Sequence, residues 1–442
     1  MSTIHQIPEL QALQSQQSVI RIPNEIDVPV TPRVLKLIDS PEFRRLASIS
    51  QLGLVSLVYP AAHHTRFEHS IGVYRMALLY LRQLSRFERF HELVTPEDAE
   101  LLIVAALVHD LGHWPFCHPI EDMELPGVPE HELFANSFLL EGEVANALRD
   151  EWGINPRELV TLLSGKPRTS SGELLQSILS GPIDIDKMDY LQRDSLHAGV
   201  PYGRNFDQQR LIASLCLNER GNRIAISEKG KTAAEMMVFA RYVMFSEVYW
   251  HHAVRSATAM LQRLFFITYG ELDLDSLFRL NQEQFVGVFR EKAKAASVEE
   301  LWSGLFGPTR SLYKRLIEIN ALEDEALYNR LAHRDYPFLC RCAEQLATEL
   351  SRTLGIRIAP SQVLVDAPPR GHETEFVVDI VSSRTGNARP LHQVSPVVQS
   401  LAGSHFERQV KRVRVFVSRD IKSRVSAECD IKSLLARALD QL

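Results

Sequence analysis

This chain is organised around residues 101–118, LLIVAALVHDLGHWPFCH. The apolar run that opens this stretch is too short to cross a bilayer and is typical of a helix buried in a core. Thr95–Asp98 supplies a capping side chain, a proline for the first turn and acids for the positive helix end. The sequence therefore predicts a buried helix that starts near Thr95 and ends in His109-Asp110.

Neighbouring histidine and aspartate side chains at the end of a buried helix need partners. A neutral polar group buried without one costs roughly 2–7 kcal/mol, and a charge costs more. A metal ion satisfies both side chains, whereas a lone His–Asp pair in a core is more often a structural hydrogen bond. His113 and His118 follow closely, and His113 lies one helical turn beyond His109. The cluster indicates a metal or catalytic site whose other ligands come from elsewhere in the chain.

Composition narrows the class of protein. The chain has 442 residues, 45% hydrophobic and 24% charged, which is typical of a soluble globular protein with two or three domains. No apolar run is long enough to span a membrane, and the N-terminus lacks a signal pattern, so we expect a cytoplasmic location. The net charge of −6 gives no broad footprint for nucleic acid. The five scattered cysteines indicate reduced thiols.

Helical periodicity dominates the chain, with strand patterns at its two ends. An amphipathic helix starts around His69, and another helix is predicted from Ser40 to Gly53. Residues 276–353 are predicted to be mostly helical. The predicted extended segments are 19–22 and 26–28 near the N-terminus, a hairpin at 215–229, and 357–359, 363–365, 376–381 and 413–417, followed by a helix at 431–439.

A second polar cluster, DIDKMDYLQRD, occupies residues 184–194. A solvated face is the ordinary explanation of such a run, but the interleaved Met188 and Leu191 indicate that part of it is packed. Asp186 would complete a His-His-Asp-Asp metal set. That set is His69, His109, Asp110 and Asp186.

These stretches together resemble the HD-domain metal phosphohydrolases, and most of all the deoxynucleoside triphosphate triphosphohydrolases. The resemblance covers roughly residues 33–270. It implies a mainly α fold with an HD-domain helical core, small β hairpins and a C-terminal α/β segment. The matching stretches are Gln51-Leu52-Gly53, RFEHSIGV (66–73), HDLGHWPFCH (109–118), His131-Glu132, DIDKMDYLQRD (184–194), and Arg241 with Tyr249-Trp250-His251. The implied organisation is an N-terminal extended segment (1–30), the HD domain (31–275), a helical extension (276–353) and the C-terminal segment (354–442).

The resemblance also implies roles for single residues. His118 would give a proton to the leaving 5′-oxygen, and Glu121 stands where the family usually has an aspartate. The other implied roles are metal ligation by His69, His109, Asp110 and Asp186; lining of the scissile region by His113, His118 and His131; triphosphate binding by Arg66, Lys187, Tyr190 and Arg241; binding of the 3′-hydroxyl by Gln51 and Asp194; and closure of the sugar pocket by Tyr249, with Leu52 beside it.

The implied activity is metal-dependent hydrolysis of a dNTP to deoxynucleoside and inorganic triphosphate. Iron, manganese or a mixed pair would suit the ligands, with magnesium on the phosphates. The implied partners are other copies of the chain, in a dimer or tetramer, and a nucleotide effector. The family's Asp-Pro-Ile/Val-His-Gly element is absent, since the chain reads NEIDVP at 24–29, which argues against that effector. Two alternatives stay open: another HD phosphohydrolase acting on nucleotide monophosphates or cyclic dinucleotides, and a non-catalytic nucleotide-binding module.

Overall fold

A computed structural model describes residues 3–15, 18–167, 169–370, 377–382, 384–401, 410–425 and 429–442. The chain is mainly helical with small sheets of few strands, which confirms the predicted fold class. Within these ranges, no helix is both long and apolar enough to cross a membrane.

The N-terminal part confirms the predicted strands and corrects one helix. Val19–Ile22 (β1) pairs antiparallel with Ile26–Pro29 (β2). The single helix predicted from Ser40 to Gly53 is wrong, because the backbone of residues 49–51 pairs with residues 64–66 instead. Only short helical pieces form before that pairing. The α-helices here are α1 Pro8–Ala12, α2 Pro32–Ile38 and α3 Pro41–Arg44, with 3₁₀ turns at Arg45–Ser48 and Gly53–Leu57.

Three capped helices form the centre of the fold. Helix α4 (Arg66–Leu84) starts three residues before the predicted His69, because the Thr65 side chain accepts from the N–H of Glu68. It packs against both other central helices. These are α6, Pro96–Val108, and α13, Ile185–His197.

Helix α6 confirms the predicted buried helix and its capping. Thr95 and Asp98 form a reciprocal capping box, and every residue from Leu102 to Val108 is fully buried. The helix ends at Val108, so His109 and His113 do not share one helical face as predicted. Residues 109–112 turn instead, and the two rings have different neighbours: His109 lies beside His69, and His113 lies beside His118 and His131.

Further helices complete this part of the chain. A π-helical turn at Phe245–Tyr249 joins two of them. The helices are α5 Glu88–Leu93, α7 Cys117–Glu121, α8 His131–Phe134, α9 Asn136–Leu139, α10 Gly142–Asp150, α11 Pro156–Leu163, α12 Ser170–Ser180, α14 Gln208–Ala213, α15 Lys231–Met244 and α16 His252–Thr268.

The chain from residue 215 onward contains the remaining strands and helices. Two sheets have the strand orders β3-β4-β7-β8 and β5-β9-β6. The strands are β3 Leu215–Leu217, β4 Ile224–Ser227, β5 Lys314–Ile319, β6 Val363–Asp366, β7 Asp379–Val381, β8 Ala388–Pro390 and β9 Val413–Val417. The helices are α17 Leu274–Phe278, α18 Gln282–Ala295, α19 Glu299–Phe306, α20 Glu325–Leu331, α21 Tyr336–Leu354, α22 Leu391–Val394, α23 Pro396–Leu401, α24 Arg419–Arg424 and α25 Ile431–Asp440.

Strands from segments that the sequence analysis treated as separate pair within these sheets. The hairpin predicted at 215–229 and the strands predicted at 363–365 and 413–417 are confirmed. The strand predicted at 376–381 forms at Asp379–Val381, and Phe376 lies outside the described residues. The extended segment predicted at 357–359 forms no strand. The segment 276–353 also contains β5, which pairs with β9 from the C-terminal segment. A buried pair between Arg255 and Asp366, at 2.5 Å, ties that segment to α16.

Candidate metal centre and active-site cavity

One cavity of about 1330 Å³ collects most of the predicted site residues. Its walls come from the central helices, from the turn after α6 and from α7, α8 and α16. The predicted residues that line it are Gln51, Leu52, Arg66, His69, His109, Asp110, His113, His118, Glu121, His131, Asp186, Tyr190, Asp194 and Tyr249.

The four residues predicted as metal ligands direct their donor atoms toward one point. His69 Nε2 lies 3.0 Å from Asp186 Oδ1, and His109 Nε2 lies 3.4 Å from Asp110 Oδ1. The distances from His109 Nε2 to Asp186 Oδ1 and from His69 Nε2 to Asp110 Oδ2 are 3.9 and 4.0 Å. Metal–ligand bonds of about 2.0–2.2 Å place neighbouring donor atoms about 3–4 Å apart. The spacing of His69, His109 and Asp110 therefore fits one shared metal ion, and Asp186 lies beside both histidines.

Both histidine rings are held with Nε2 directed to that point. His69 Nδ1 donates to Asp189 Oδ2 at 2.9 Å, and His109 Nδ1 donates to the carbonyl of Ala106 at 2.9 Å. When the rings are neutral, these bonds leave each Nε2 with its lone pair, which is the arrangement that metal-binding imidazoles adopt. His109 Nε2 is buried and has no hydrogen-bond partner among the described residues. A bound cation would supply that partner.

The carboxylates around His69 favour a positive charge at this cluster. Burial lowers the pKa of the His69 imidazole, but hydrogen bonds to Asp186 and Asp189 and the charge of Asp110 raise it to about 10. Burial raises the pKa of Asp186, and the hydrogen bond and charge of His69 bring it below its ordinary value. A ligating histidine must be neutral, so a metal ion would replace this proton.

A second histidine cluster lies on the other side of Asp110. His113 Nδ1 is 3.1 Å from Asp110 Oδ1. The Glu121 carboxylate accepts from the His131 backbone N–H at 2.6 Å and from its ring Nδ1 at 2.9 Å, and His118 Nδ1 lies 3.5 Å from the other oxygen. Glu121 thus contacts two histidines, whereas the resemblance implied support of His118 alone.

In this second cluster, the pKa of one histidine is lowered and the pKa of another is raised. Burial and the Arg66 charge hold the pKa of His113 well below its usual range, so His113 is neutral at pH 7. Burial lowers the pKa of His131, but the hydrogen bond and charge of Glu121 raise it above the ordinary value. The His118 side chain is 59% exposed and can exchange protons with solvent. This cluster can hold and deliver a proton.

Two glycines allow the elements of the site to approach closely. A Cβ on Gly72 of α4 would lie 2.0 Å from Asp189 Oδ1 and 2.3 Å from an Arg193 guanidinium nitrogen of α13. A Cβ on Gly112 would lie 2.0 Å from the carbonyl oxygen of His131. Both distances are impossible in a folded protein, so each cluster depends on a residue without a side chain.

The residues predicted to bind the sugar form a buried group at one wall of the cavity. Asp194 Oδ1 lies 2.8 Å from His64 Nε2, and Oδ2 accepts from the Tyr249 hydroxyl at 2.6 Å. Gln51 Oε1 is buried and has no hydrogen-bond partner among the described residues. Leu52 lines the same part of the cavity. The group offers a carboxylate and an amide to a ligand.

The predicted triphosphate residues occupy different environments. Arg66 lines the cavity, donates to Asp110 Oδ2 at 2.8 Å, and has a buried Nε without a partner in the described part of the chain. Tyr190 lines the cavity 6.5 Å from the Tyr249 ring, measured between centroids. Lys187 donates to Asp184 Oδ2 at 2.6 Å outside the lining residues. Arg241 is also outside that lining, with its guanidinium 5.4 Å from the Phe245 ring.

Several buried residues that the sequence analysis did not assign support these groups. Arg193 forms a two-bond pair with Asp189, at 2.7 and 2.8 Å, and donates to Glu68 at 2.6 Å. His197 Nε2 lies 2.9 Å from Glu68, and its ring stacks on His64 at 4.3 Å. The sequence feature that could have identified them is their position, because all of them lie within five residues of a predicted ligand or sugar-binding residue.

Family models match nearly the whole of this architecture. A model of the HD domain matches residues 66–194, and a model of the HD associated region matches residues 206–435, more than half of the chain. The chain belongs to the HD-domain family. This membership, with the His/Asp cluster described above, supports a hydrolase that binds a divalent metal ion.

Relatives of this HD-domain chain include proteins of unknown activity and triphosphohydrolases. An uncharacterized protein of Methanocaldococcus jannaschii is 30% identical over 94% of this chain and 85% of its own length. The uncharacterized protein YwfO of Bacillus subtilis is 29% identical over 88% and 90%. The deoxynucleoside triphosphate triphosphohydrolase SAMHD1 of Homo sapiens is 30% identical over 53% of this chain and 42% of that protein.

Solved structures share the fold along nearly the full chain. A hypothetical protein from Aquifex aeolicus has a TM-score of 0.70 and 29% identity, covering 92% of this chain and 100% of that one. A phosphohydrolase from Bacteroides thetaiotaomicron has a TM-score of 0.66 and 21% identity, covering 91% and 100%, and shows the common fold.

Proposed function

We propose that this HD-domain protein is a metal-dependent dNTP triphosphohydrolase, which converts a deoxynucleoside triphosphate to deoxynucleoside and inorganic triphosphate. The observation that carries the proposal is that one cavity is lined by His69, His109, Asp110 and Asp186, by a second group of histidines around Glu121, and by Asp194 with Gln51. SAMHD1 relatives from several vertebrates, each about half covered, support the same substrate class.

Each group has a task in that reaction. Arg66, with its unpartnered Nε, and the Tyr190 hydroxyl would bind phosphate oxygens in the cavity. His118 would donate the proton to the leaving 5′-oxygen, and the Glu121 carboxylate would stabilise the charge of the protonated His118 ring. When bound, a divalent ion supplies an activated water near neutral pH. Lys187 and Arg241 would contribute positive charge from outside the lining.

His69, His109, Asp110 and Asp186 would hold the metal ion. Two imidazoles and two carboxylates suit iron or manganese, as a single ion or a mixed pair, and magnesium would accompany the phosphates. Metal analysis of the purified protein, followed by activity after chelation and readdition of each ion, identifies the metal.

Product analysis tests the proposed reaction. The protein is incubated with each of the four dNTPs, with GTP, with nucleoside monophosphates and with a cyclic dinucleotide, in a screen of divalent metals, and the products are separated by ion-exchange chromatography. Deoxynucleoside with inorganic triphosphate is the expected pair. Monophosphate with pyrophosphate, or cleavage of only monophosphates or cyclic dinucleotides, would favour the other HD phosphohydrolases. Tight dNTP binding without turnover in any metal would favour a non-catalytic binding module.

Sugar recognition gives a sharper test of the same site. Gln51 and Asp194 would bind the 3′-hydroxyl. Because these polar groups lose their partner when the hydroxyl is missing, kcat/KM for 2′,3′-dideoxynucleotides should be lower by roughly 10⁴-fold. Tyr249 would limit space at the 2′ carbon while its hydroxyl donates to Asp194. We therefore expect Tyr249→Phe to alter 3′-hydroxyl recognition, and Tyr249→Ala to narrow the difference between dGTP and GTP as well.

The expected homo-oligomer and effector are separate proposals. Light scattering at micromolar concentration tests the dimer or tetramer, and a monomer would contradict it. A basic cavity of about 580 Å³ supports an anionic effector. Its cationic lining residues are Arg310, Lys314, Arg315, Arg419 and Lys422. If a dNTP acts there, hydrolysis of one dNTP should rise when another is added, and Arg310→Ala should abolish that rise.

A further inference from the structure

His64 contacts both residues of the proposed sugar-binding group. Its backbone carbonyl accepts from the Gln51 N–H at 2.9 Å, and its ring Nε2 lies 2.8 Å from Asp194 Oδ1. Gln51 and Asp194 are far apart in sequence, and His64 is a residue that hydrogen-bonds to both of them.

The ring itself does not face the ligand. The His64 side chain is 0% exposed and is absent from the described residues that line the cavity, whereas Gln51 and Asp194 line it. An ionised carboxylate only accepts hydrogen bonds, so Nε2 carries the proton and donates to Asp194. His64 Nδ1 has no hydrogen-bond partner among the described residues, which leaves Asp194 as its one polar anchor there.

The Asp194 carboxylate is thereby held from two sides. His64 donates to one oxygen and the Tyr249 hydroxyl to the other, which fixes the plane of the carboxylate. Each oxygen keeps a further lone pair for a ligand hydroxyl. Holding a recognition group in one orientation before the ligand arrives reduces the entropy lost on binding.

The structure assigns to His64 the role of positioning residue for the sugar pocket: its ring orients the Asp194 carboxylate, and its backbone carbonyl fixes the chain at Gln51, on the same wall of the cavity. This inference rests on the proposed dNTP activity. It adds that 3′-hydroxyl discrimination depends on a residue that never touches the substrate.

The same residue links the sugar pocket to the metal centre through a buried chain. The His64 ring stacks on His197 at 4.3 Å with an interplanar angle of 15°. His197 contacts Glu68, which accepts from Arg193. Arg193 in turn pairs with Asp189, the acceptor of His69 Nδ1. Loss of the His64 ring leaves the bonded part of this chain, from His197 to His69, in place, so metal content should not change.

Three variants separate the donor function from packing. His64→Gln keeps an N–H donor near the position of Nε2, and His64→Leu has a similar volume without a donor. His63→Leu is the matched control, since His63 is the exposed neighbour. The measurements are the ratio of kcat/KM for dGTP to that for 2′,3′-dideoxy-GTP, the metal content and the crystal structure of each metal-loaded variant.

We expect His64→Leu to lower the dGTP to dideoxy-GTP ratio by about tenfold or more, mainly through KM for dGTP, with metal content unchanged. His64→Gln should restore most of the ratio, and His63→Leu should match the unmodified protein. An unchanged ratio in His64→Leu, or equal losses in the Leu and Gln variants, would overturn the inference. Should His64→Leu not fold, His64→Asn, whose amide is too short to reach Asp194, replaces it.

The crystal structures keep the two proposals distinguishable. If the unmodified protein cleaves no dNTP, the proposed function fails. The role of His64 is then decided by whether the Asp194 side chain keeps its orientation in His64→Gln and loses it in His64→Leu. An unmoved Asp194 carboxylate in His64→Leu would overturn the positioning role, whatever the activity.

Discussion

The two histidine clusters on either side of Asp110 are built differently. In the metal cluster, His69 and His109 each have a separate acceptor for Nδ1, and both direct Nε2 to one point. In the proton cluster, His118 and His131 share the single carboxylate of Glu121, and His118 is largely exposed. Histidines that each have their own acceptor suit the binding of an ion at a fixed position. Histidines that share one carboxylate, with one ring open to solvent, suit proton transfer.

The largest effect should come from removing a ligand of the metal cluster. Asp110→Ala leaves the other three ligands incomplete, so bound metal and turnover should both be lost. The turnover loss should be several kcal/mol in barrier, or about 10³-fold or more. Metal analysis and product assays measure it, with the exposed Asp150→Ala as control. Full metal content with full activity would remove the assignment of this cluster.

Removing the proton donor should separate the two clusters. His118→Asn should lower turnover by about 10²–10⁴-fold, because the leaving oxygen no longer receives a proton, while the metal content stays unchanged. Single-turnover kinetics and metal analysis on the same sample measure both. Loss of metal from this variant would mean that the clusters form one site. His63→Asn, at an exposed position, controls for a general effect of losing a histidine.

A smaller effect is expected from the residue behind a ligand. Asp189→Asn keeps the shape but replaces the carboxylate that accepts from His69 Nδ1, so metal affinity should fall by about 10–100-fold. Titration with a competing chelator gives the affinity. An unchanged affinity would show that packing alone holds the His69 ring.

The smallest expected effect is a shift in pH dependence. Glu121 raises the pKa of His131, so the protonated cluster persists to higher pH and is lost as pH rises through that pKa. Glu121→Gln removes this support, and the alkaline limb of kcat/KM should move to lower pH. A limb that stays in place, or moves to higher pH, would contradict a shared proton on this cluster.

Much of the site was predictable because its chemistry is written in short contiguous motifs. His109-Asp110 ends a helix whose capping and apolar run are plain, and Asp186 lies in a dense polar segment. The geometry brings both motifs together, with His109 Nε2 3.9 Å from Asp186 Oδ1. Strand β5 was not predicted from the sequence. It lies in a region with a helical pattern and pairs with β9, about a hundred residues later, and local periodicity carries no information about such a partner.

Local residue pattern alone established the class of fold, the run of capped helices and the candidate ligands, since caps, periodicity and clustered ligand types act over a few residues. Tertiary packing settled which groups hold those residues. Asp189 reaches His69 across 120 positions because Gly72 has no side chain, and His64 reaches Asp194 across 130 because residues 49–51 pair with 64–66. Contacts at such separations depend on how helices and turns meet in space, which no local sequence signal encodes.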